Sequence, residues 1–342
     1  MKAIGIDIGT TSVCGVLIDA ATGGVEKSVT QNSNAFIEGC AEWEKIQSVD
    51  KIMTVATDIL ESLIVEGGDV GVIGITGQMH GIVYTDKDGN AVSPLYTWQD
   101  GRGNLPYKDT TYAKYLNSFS GYGNVTDFYN AENGIKPESA VSYCTIHDYF
   151  VMRLCELKKP IMHTSDAASF GCYDLENNRF NYDCTTEITG DFRIAGEYTG
   201  IPVSVAIGDN QASVFSTLTD ENDVLVNIGT GSQISVISDK IADSAQIETR
   251  PYFEGKYLLA GAALCGGRAY SLLKNFYAEA FGYIKSVDDD EVYKIMNDML
   301  KNVKSSSFKV DTRFAGTRLN SEITGGISGI TTENFTPSAL TY

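Results

Sequence analysis

The sequence is poor in basic residues, proline, histidine and closely spaced cysteine. Its 342 residues include 26 Lys and Arg against 44 Asp and Glu, which gives a formal net charge of −18. Nucleic acids and anionic membranes need a basic surface to displace their counterions, so neither is an expected partner. Only seven prolines and a hydrophobic fraction of 43% exclude a disordered or collagen-like chain.

Cysteine and histidine are too scattered for a disulfide framework or a zinc site. The seven cysteines include no Cys-x-x-Cys pair, and the three histidines (His80, His147 and His163) lie far apart, which disfavours a His-based metal site. Asp7 interrupts the N-terminal apolar run, and no stretch approaches the roughly 20 apolar residues of a membrane span. These features predict a cytoplasmic protein with reduced thiols.

Hydrophobic patterning predicts an α/β chain, and the length predicts two domains. The predicted strands are 3–8, 13–18, 25–29, 70–75, 202–207, 224–228, 232–237 and 257–263. The predicted helices are 49–65, 139–154, 212–218 and 268–281, and hairpins are expected near 82–90 and 166–180. Both halves place strands around an aspartate and a Gly-Thr turn. The chain therefore reads as a duplicated α/β domain, 1–200 and 201–342.

The two Gly-Thr turns carry the clearest chemical signal. Asp7-Ile-Gly-Thr-Thr-Ser12 and Asn227-Ile-Gly-Thr-Gly-Ser232 would expose backbone N–H groups in a concavity that suits phosphate oxygens. Either turn alone would more simply be a hairpin, but one in each half favours a phosphate site. A carboxylate at Asp7, at the end of a buried strand, needs a cation, and Mg²⁺ bridging phosphates is a natural one.

Three further segments offer catalytic or binding side chains. Asp209 begins a helix after a strand, so it is either a helix cap or the general base for a hydroxyl that attacks a γ-phosphate. Gly77-Gln-Met-His-Gly81 and Trp98-Gln-Asp-Gly-Arg102 combine aromatic, amide and charged groups that suit a polyhydroxylated sugar. The plainer alternative for both is an ordinary loop with a satisfied histidine or a surface Asp–Arg pair.

The sequence resembles the FGGY family of carbohydrate kinases, through motifs that occur in the family's order along nearly the whole chain. The matching motifs are Gly5–Ser12, Gly77–Gly81, Thr97–Arg102, Ser165–Ser169, Ile207–Gln211, Asn227–Ser232 and Cys265–Gly267. Within the family they are most similar to the sedoheptulose-phosphorylating members and then to the xylulose-phosphorylating ones. The resemblance implies duplicated actin-like (ribonuclease H-like) domains with a cleft between them.

The resemblance also implies a role for each matching residue. Asp209 would be the catalytic base, and Asp7 would organise Mg²⁺. The expected ATP-binding residues are Gly9, Thr10, Thr11, Gly229, Thr230, Gly231, Gly266 and Gly267. The expected sugar-binding residues are Gln78, Met79, His80, Trp98, Asp100 and Arg102.

The resemblance further implies that the second domain is incomplete. Family members continue beyond Gly325–Ile330 into a long helix and a Gly-rich turn that holds the adenosine, whereas this sequence ends at Tyr342. A C-terminal truncation of this kind would leave apolar faces uncovered and favour self-association, for example as a homodimer.

The expected function is ATP-dependent phosphorylation of a primary hydroxyl of a ketose such as sedoheptulose. Alternatives are a xylulose kinase or another sugar kinase of the family, and a catalytically impaired sugar-binding protein. An actin-like ATPase acting on proteins is disfavoured, because it would leave Gly77–Gly81 and Trp98–Arg102 without a role.

Overall fold

The computed structural model describes residues 1–39, 41–177, 179–180, 186–229, 231–244, 247–286, 288–301, 303–317 and 322–342. These residues form two compact units. The first comprises Met1–Thr217, Ser238–Lys240 and Arg250–Leu258, and the second comprises Leu218–Ile237, Ile241–Thr249 and Leu259–Tyr342. The main segment of the first unit thus continues past residue 200, where the sequence suggests a domain boundary.

The first unit contains a large mixed sheet and six helices. Its strands are β1 (Lys2–Ile8), β2 (Ser12–Asp19), β3 (Val25–Asn32), β4 (Ile46–Gln47), β5 (Val70–Gly77), β6 (Val83–Thr85), β7 (Leu95–Tyr96), β8 (Pro106–Tyr107), β9 (Thr110–Thr111), β10 (Ser142–Cys144), β11 (Ile161–His163), β12 (Tyr173–Asp174), β13 (Arg179–Phe180), β14 (Glu187–Thr189), β15 (Ile194–Tyr198), β16 (Ile201–Ser204) and β17 (Ile207–Gly208). Its helices are α1 (Val49–Gly67), α2 (Tyr112–Tyr115), α3 (Gly123–Glu132), α4 (Ile146–Leu154), α5 (Thr164–Ser169) and α6 (Asp209–Thr217), with a 3₁₀ turn at Gly101–Asn104.

The central sheet has seven strands in the order β15-β16-β5-β1-β2-β3, with β17 also paired to β5. The opening strands form the predicted antiparallel meander, and β5 joins β1 in parallel. Every second residue of β1 is apolar, so Ile4, Ile6 and Ile8 share one face and are buried in the main core. Gly15 on β2 leaves room for α1, because a Cβ there would collide with Ile59 and Leu63.

Helix α1 forms as its sequence pattern predicts. Ser48 caps its N-terminus by accepting a hydrogen bond from the Lys51 N–H. Apolar residues at three-and-four spacing are buried along one face: Ile52, Val55, Ala56, Ile59, Leu60 and Leu63. Gly68 has a φ of 68° and ends the helix in a conformation that glycine adopts easily.

Three parallel strands end at the same level of the sheet. Gly77 of β5 is in register with Ile8 of β1 on one side and with Gly208 of β17 on the other. The residues that follow these ends are the first Gly-Thr turn, the Gln-Met-His segment and Asp209. In α/β sheets, ligands bind at the carboxyl ends of parallel strands. The topology thus brings three of the predicted functional segments together at one edge of the sheet.

The remaining elements lie mostly in the second unit. They are β18 (Leu225–Ile228), β19 (Ser232–Ser238), β20 (Glu248–Pro251), β21 (Tyr257–Ala263), β22 (Lys309–Asp311), β23 (Gly326–Ser328), α7 (Gly267–Gly282), α8 (Asp289–Leu300), α9 (Pro337–Thr341) and a 3₁₀ turn at Phe253–Gly255. The larger sheet runs in the order β18-β19-β21-β20. A small core of Tyr277, Val292 and Met296 joins α7 to α8.

Two predicted elements are partly wrong. The expected helix over 139–154 begins only at Ile146, because Ser142–Cys144 instead pairs antiparallel with Val83–Thr85. The expected hairpin over 166–180 is limited to Tyr173–Asp174 and Arg179–Phe180, and Thr164–Ser169 before it is a helix. Residues 142–144 form a strand because a distant strand pairs with them. Residues 164–169 form a helix because the His163 side chain caps it. Hydrophobic periodicity reveals neither of these interactions.

The described part of the chain holds five free thiols, at Cys14, Cys144, Cys155, Cys172 and Cys265. Cys40 and Cys184 lie outside it. Among the helices of the described residues, none has the length and apolar character needed to cross a membrane.

Candidate active site

Asp209 is the first residue of α6 and follows the end of β17. The negative carboxylate is favourable at a helix N-terminus, and Asp209 is exposed to solvent. Desolvation by the surrounding protein raises the pKa of Asp209, and the negative charge of Asp7 raises it further. Electrostatic interactions with His147 and Arg250 and a hydrogen bond from the Asn210 N–H act in the opposite direction. A solvent-accessible carboxyl with a raised pKa is suited to accept a proton.

Asp7 lies one residue before the end of β1, opposite Cys14 and Thr76 in the neighbouring strands. Desolvation raises the pKa of Asp7 as well, and His147 partly opposes that shift. The negative charge of Asp7 disfavours ionisation of Asp209, and a divalent cation would relieve this repulsion. Carboxylate oxygens are the ligands that Mg²⁺ prefers, so Asp7 is a candidate magnesium ligand.

The first Gly-Thr turn joins β1 to β2 and is closed by the Gly9 N–H, which donates to the Ser12 carbonyl at 3.0 Å. The Thr10 hydroxyl donates to Gln78 Oε1 at 3.3 Å and accepts from the Trp98 indole N–H at 2.9 Å. The Thr11 side chain is exposed. Thr10 thus connects the turn to two of the predicted sugar-binding segments.

Gln47 completes this network and was missed by sequence reasoning. Its side-chain amide donates to the Thr10 carbonyl at 2.6 Å, and its Oε1 accepts from Gln78 Nε2 at 3.1 Å. Gln47 is fully buried and Gln78 nearly so. A glutamine in a two-residue strand gives no sequence signal. Only the folded structure shows that the Gln47 amide group hydrogen-bonds both Thr10 and Gln78.

Met79 and His80 occupy different environments. Met79 is buried and packs on Gly208, where a Cβ would lie 2.5 Å from the Met79 sulfur. His80 has a φ of 71° and stacks on Tyr122 with ring centroids 4.3 Å apart. Its Nδ1 lies 2.8 Å from the Ser169 carbonyl, which can only accept, so Nδ1 carries the proton and Nε2 is the acceptor nitrogen.

In the Trp98 loop, one of the predicted sugar-binding residues is exposed to solvent and two are buried. Trp98 is 46% exposed, whereas Asp100 and Arg102 are 1% and 0% exposed. The Arg102 guanidinium pairs with both Asp100 oxygens, hydrogen-bonds Asn130 and lies 4.3 Å from the centre of the Tyr96 ring. The structure therefore places Asp100 and Arg102 behind the loop surface, where they hold the loop in shape.

A buried cluster lies behind the strand ends. His147, Asp148 and Asp166 offer ligand atoms within 4.8 Å of one another, and His147 Nε2 lies 3.0 Å from Asp166. Burial lowers the pKa of His147 and raises those of Asp148 and Asp166. The Gly77 backbone packs against His147 Nδ1, since a Cβ on Gly77 would lie 2.9 Å from that atom. The cluster is hydrogen-bonded only in part, because His147 Nδ1, Asp148 Oδ1 and Asp166 Oδ2 have no hydrogen-bond partner among the described residues.

The glycines predicted to bind ATP in the second half come together within the second unit. The Gly229 N–H donates to the Gly231 carbonyl at 2.9 Å, and the Gly267 N–H donates to the Gly229 carbonyl at 2.7 Å. A Cβ on Gly266 would collide with the Gly231 backbone. Helix α7 begins here with no side-chain cap, which leaves N–H groups at its start. Thr230 lies outside the described residues.

Comparisons with known proteins show similarity to carbohydrate kinases. Residues 2–114 match the N-terminal domain of the FGGY family of carbohydrate kinases. Mouse sedoheptulokinase is 29% identical, with 92% of this chain and 77% of that protein aligned, and human sedoheptulokinase is 28% identical, with 86% and 73% aligned.

Solved structures share the fold along the whole chain. Xylulose kinase from Rhodospirillum rubrum superposes with a TM-score of 0.83 at 17% identity, covering 100% of this chain and 75% of that one. The chain has the α/β fold of these solved sugar kinases, and its residues 2–114 match the N-terminal domain of the FGGY family of carbohydrate kinases.

Proposed function

We propose that this carbohydrate kinase transfers the γ-phosphate of ATP to a primary hydroxyl of a ketose such as sedoheptulose. The observation that carries the proposal is the common level at which β1, β5 and β17 end. There the first Gly-Thr turn, the Gln78–His80 segment and Asp209 lie on adjacent strands of one sheet. Phosphoryl transfer needs these three functions together: a phosphate-binding turn, an acceptor site and a base.

Asp209 is the proposed general base. Its exposed carboxylate would take the proton of the sugar hydroxyl as the oxygen attacks the γ-phosphate. The raised pKa moves this group from its usual acidic range toward the pH at which a cytoplasmic enzyme works. Asp7 would hold Mg²⁺, which supplies neutralising charge for the phosphate oxygens.

His80 and Trp98 are the proposed direct sugar contacts. The Nδ1–H tautomer of His80 makes Nε2 an acceptor for a sugar hydroxyl, and the exposed face of Trp98 can cover the C–H face of a sugar. Gln78, Met79, Asp100 and Arg102 are buried, so we assign them the support of these two surfaces. This refines the expectation that all six residues contact the sugar.

Each Gly-Thr turn is proposed as a phosphate-binding element of its own unit. Gly9, Thr10 and Thr11 would contribute from the first turn, and Gly229, Thr230 and Gly231 from the second. Gly266 and Gly267 precede and begin α7, a helix of 16 residues whose N-terminal N–H groups and dipole favour an anion. The ordered glycine contacts of the second unit support this assignment.

A xylulose kinase is the second candidate, because Gly77–Gly81 is shared by xylulose-phosphorylating members of the family. An ATP-coupled assay with sedoheptulose, xylulose, ribulose and glycerol would separate the candidates. We expect the highest kcat/KM with sedoheptulose. A higher value with xylulose would replace the substrate assignment, and calorimetric sugar binding without turnover of any of the four would contradict kinase activity.

A further inference from the structure

Helix α5 (Thr164–Ser169) contacts both the catalytic-base segment and the sugar-binding segment. It carries the Ser-Asp-Ala-Ala-Ser motif, for which no role has been assigned above. Ser165 and Ser169 are 1% and 5% exposed and lie four residues apart, so they share one face of the helix. Each hydroxyl accepts a hydrogen bond from the backbone of a different functional segment.

Ser165 holds the backbone that leads into Asp209. The Gly208 N–H donates to Ser165 Oγ at 3.0 Å, in a fully buried contact. Gly208 directly precedes the proposed base, so this bond constrains the direction in which Asp209 leaves β17. Thr76 adds a second restraint, since its hydroxyl donates to the Ile207 carbonyl at 2.8 Å.

His163 orients the Ser165 hydroxyl. The Ser165 backbone N–H donates to His163 Nδ1 at 3.1 Å, so this ring nitrogen is unprotonated. Ser165 Oγ lies 2.8 Å from the same nitrogen and must therefore donate its own hydrogen to it. The lone pairs of Ser165 Oγ then remain directed to the Gly208 N–H. Burial lowers the pKa of His163 to about 4, which keeps the ring neutral.

Ser169 holds the proposed sugar contact. Its hydroxyl accepts from the His80 N–H at 3.1 Å, and its carbonyl accepts from His80 Nδ1 at 2.8 Å. The Ser169 hydroxyl donates to the Asp166 carbonyl at 2.7 Å, which leaves it an acceptor toward His80. His80 has a left-handed φ of 71°, a conformation that a non-glycine residue keeps only when its surroundings enforce it.

We propose that α5 is a positioning element of the kinase, in which Ser165 sets the backbone of Asp209 and Ser169 sets the backbone and ring of His80. The inference rests on the proposed function of these two residues. Neither serine touches a reacting atom. One short helix would therefore fix the distance between the base and the sugar that it deprotonates.

The test compares Ser165→Ala, Ser169→Ala and Ser93→Ala in the full chain, with rates normalised to folded protein. Ser93 is the matched control, because its hydroxyl also accepts a backbone N–H, that of Tyr84, away from the strand ends. For Ser165→Ala we expect kcat to fall about tenfold with the sugar KM within about twofold, since misplacement of a reacting group mainly slows the chemical step. For Ser169→Ala we expect the sugar KM to rise about fivefold with kcat within about twofold.

If the two serines had a purely structural role, Ser165→Ala would not lower mainly kcat while Ser169→Ala raises mainly the sugar KM. If both variants change kcat and KM alike, or leave them unchanged as Ser93→Ala should, the positioning role is overturned while the kinase assignment stands. Wild-type chain that phosphorylates no ketose overturns the proposed function and the positioning role together.

Histidine tautomers give a readout that does not depend on activity. The chain has only three histidines, so ¹⁵N-histidine NMR can resolve each ring. We expect the proton on Nδ1 in His80 and on Nε2 in His163, as their hydrogen bonds require. A proton on His80 Nε2 or on His163 Nδ1 in the wild-type chain would contradict the contacts of α5 on which the proposal depends.

Discussion

The two Gly-Thr turns have nearly the same sequence but are built differently. In the first, the Thr10 hydroxyl and carbonyl are held by side chains of Gln78, Trp98 and Gln47. In the second, Gly229 is held by backbone hydrogen bonds to Gly231 and Gly267. One turn depends on polar side chains that reach it from the sugar-binding segments. The other depends on glycines that have no side chain.

This difference indicates how each turn would contribute to catalysis. The first turn is connected to the sugar-binding segments, so disturbing it should alter sugar binding as well as phosphate binding. At the second turn, close backbone contacts leave no room for a methyl group on Gly231, Gly266 or Gly267, so disturbing these positions should alter nucleotide binding alone. The following predictions test this distinction, from the largest expected effect to the smallest.

Among changes at the two turns, Gly266→Ala should have the largest effect and should act on the nucleotide. A methyl group at this position collides with the backbone of Gly231, which cannot move as a flexible side chain would. We expect the KM for ATP to rise at least about tenfold, since backbone misplacement in a phosphate site removes several hydrogen bonds together. Calorimetry with a non-hydrolysable ATP analogue and, separately, with the sugar would measure both affinities.

Gly282→Ala is the matched control, because a Cβ at Gly282 meets nothing within 4 Å. It should leave both affinities unchanged. Equal losses of sugar and nucleotide affinity in Gly266→Ala would mean that the two turns are not functionally distinct.

Thr10→Val should affect sugar binding more than Thr11→Val does. Valine keeps the shape of threonine but removes the hydroxyl that bonds to Gln78 and Trp98. We expect the sugar KM to rise about fivefold in Thr10→Val, the equivalent of about one ordinary hydrogen bond. Steady-state kinetics of both variants would check this, and a larger sugar effect in Thr11→Val would refute the connection through Thr10.

Gln47→Met should destabilise the first unit. It leaves Gln78 Nε2 without its closest acceptor and the buried Thr10 carbonyl without its donor. Loss of a buried hydrogen-bond partner costs about 1–3 kcal/mol, which urea unfolding can measure. Gln99→Met, at an exposed position of the Trp98 loop, is the control and should leave the unfolding free energy unchanged. An unchanged value in Gln47→Met would show that the network adds no stability.

Asp209→Asn should raise the melting temperature at neutral pH. The pKa of Asp209 is raised in the fold, so the folded chain binds the proton more tightly than the unfolded chain does. Ionisation therefore destabilises the fold above the raised pKa, and this penalty disappears as pH falls below the ordinary carboxyl range. Calorimetric melts from pH 4 to pH 8 should show a stabilisation of Asp209→Asn that grows with pH. A constant difference would show that the pKa is not raised.

The sequence predicted the elements whose patterns are local and missed those decided by distant partners. Apolar alternation predicted the β1–β3 meander. Three-and-four apolar spacing predicted α1, and Gly67-Gly68 marked the break between α1 and β5. The strand Ser142–Cys144 escaped because its partner, Val83–Thr85, lies almost sixty residues earlier. Propensity over a few residues cannot reveal such a pairing.

The sequence predicted which segments form the candidate site, but it did not predict which of their side chains are buried. Asp100 and Arg102 resemble surface groups in sequence, yet Tyr96 and Asn130 enclose the guanidinium. Gln47 gave no signal as a functional residue, and Ser165 and Ser169 stood only in a matching motif without a role, because the contribution of all three comes from hydrogen bonds made across the fold. Assignment of the sequence-predicted residues to direct sugar contact remains a prediction.

The kinetics of Asp209→Asn test the central claim most directly. The account predicts that kcat for ketose phosphorylation falls at least about 10³-fold while calorimetric sugar affinity changes by less than about threefold, since a general base contributes to the chemical step. Asp58→Asn, at an exposed position of α1, serves as the control and should retain full activity. Asp209→Asn that turns over the ketose at a rate near that of the wild-type chain would contradict the assignment of Asp209 as the base.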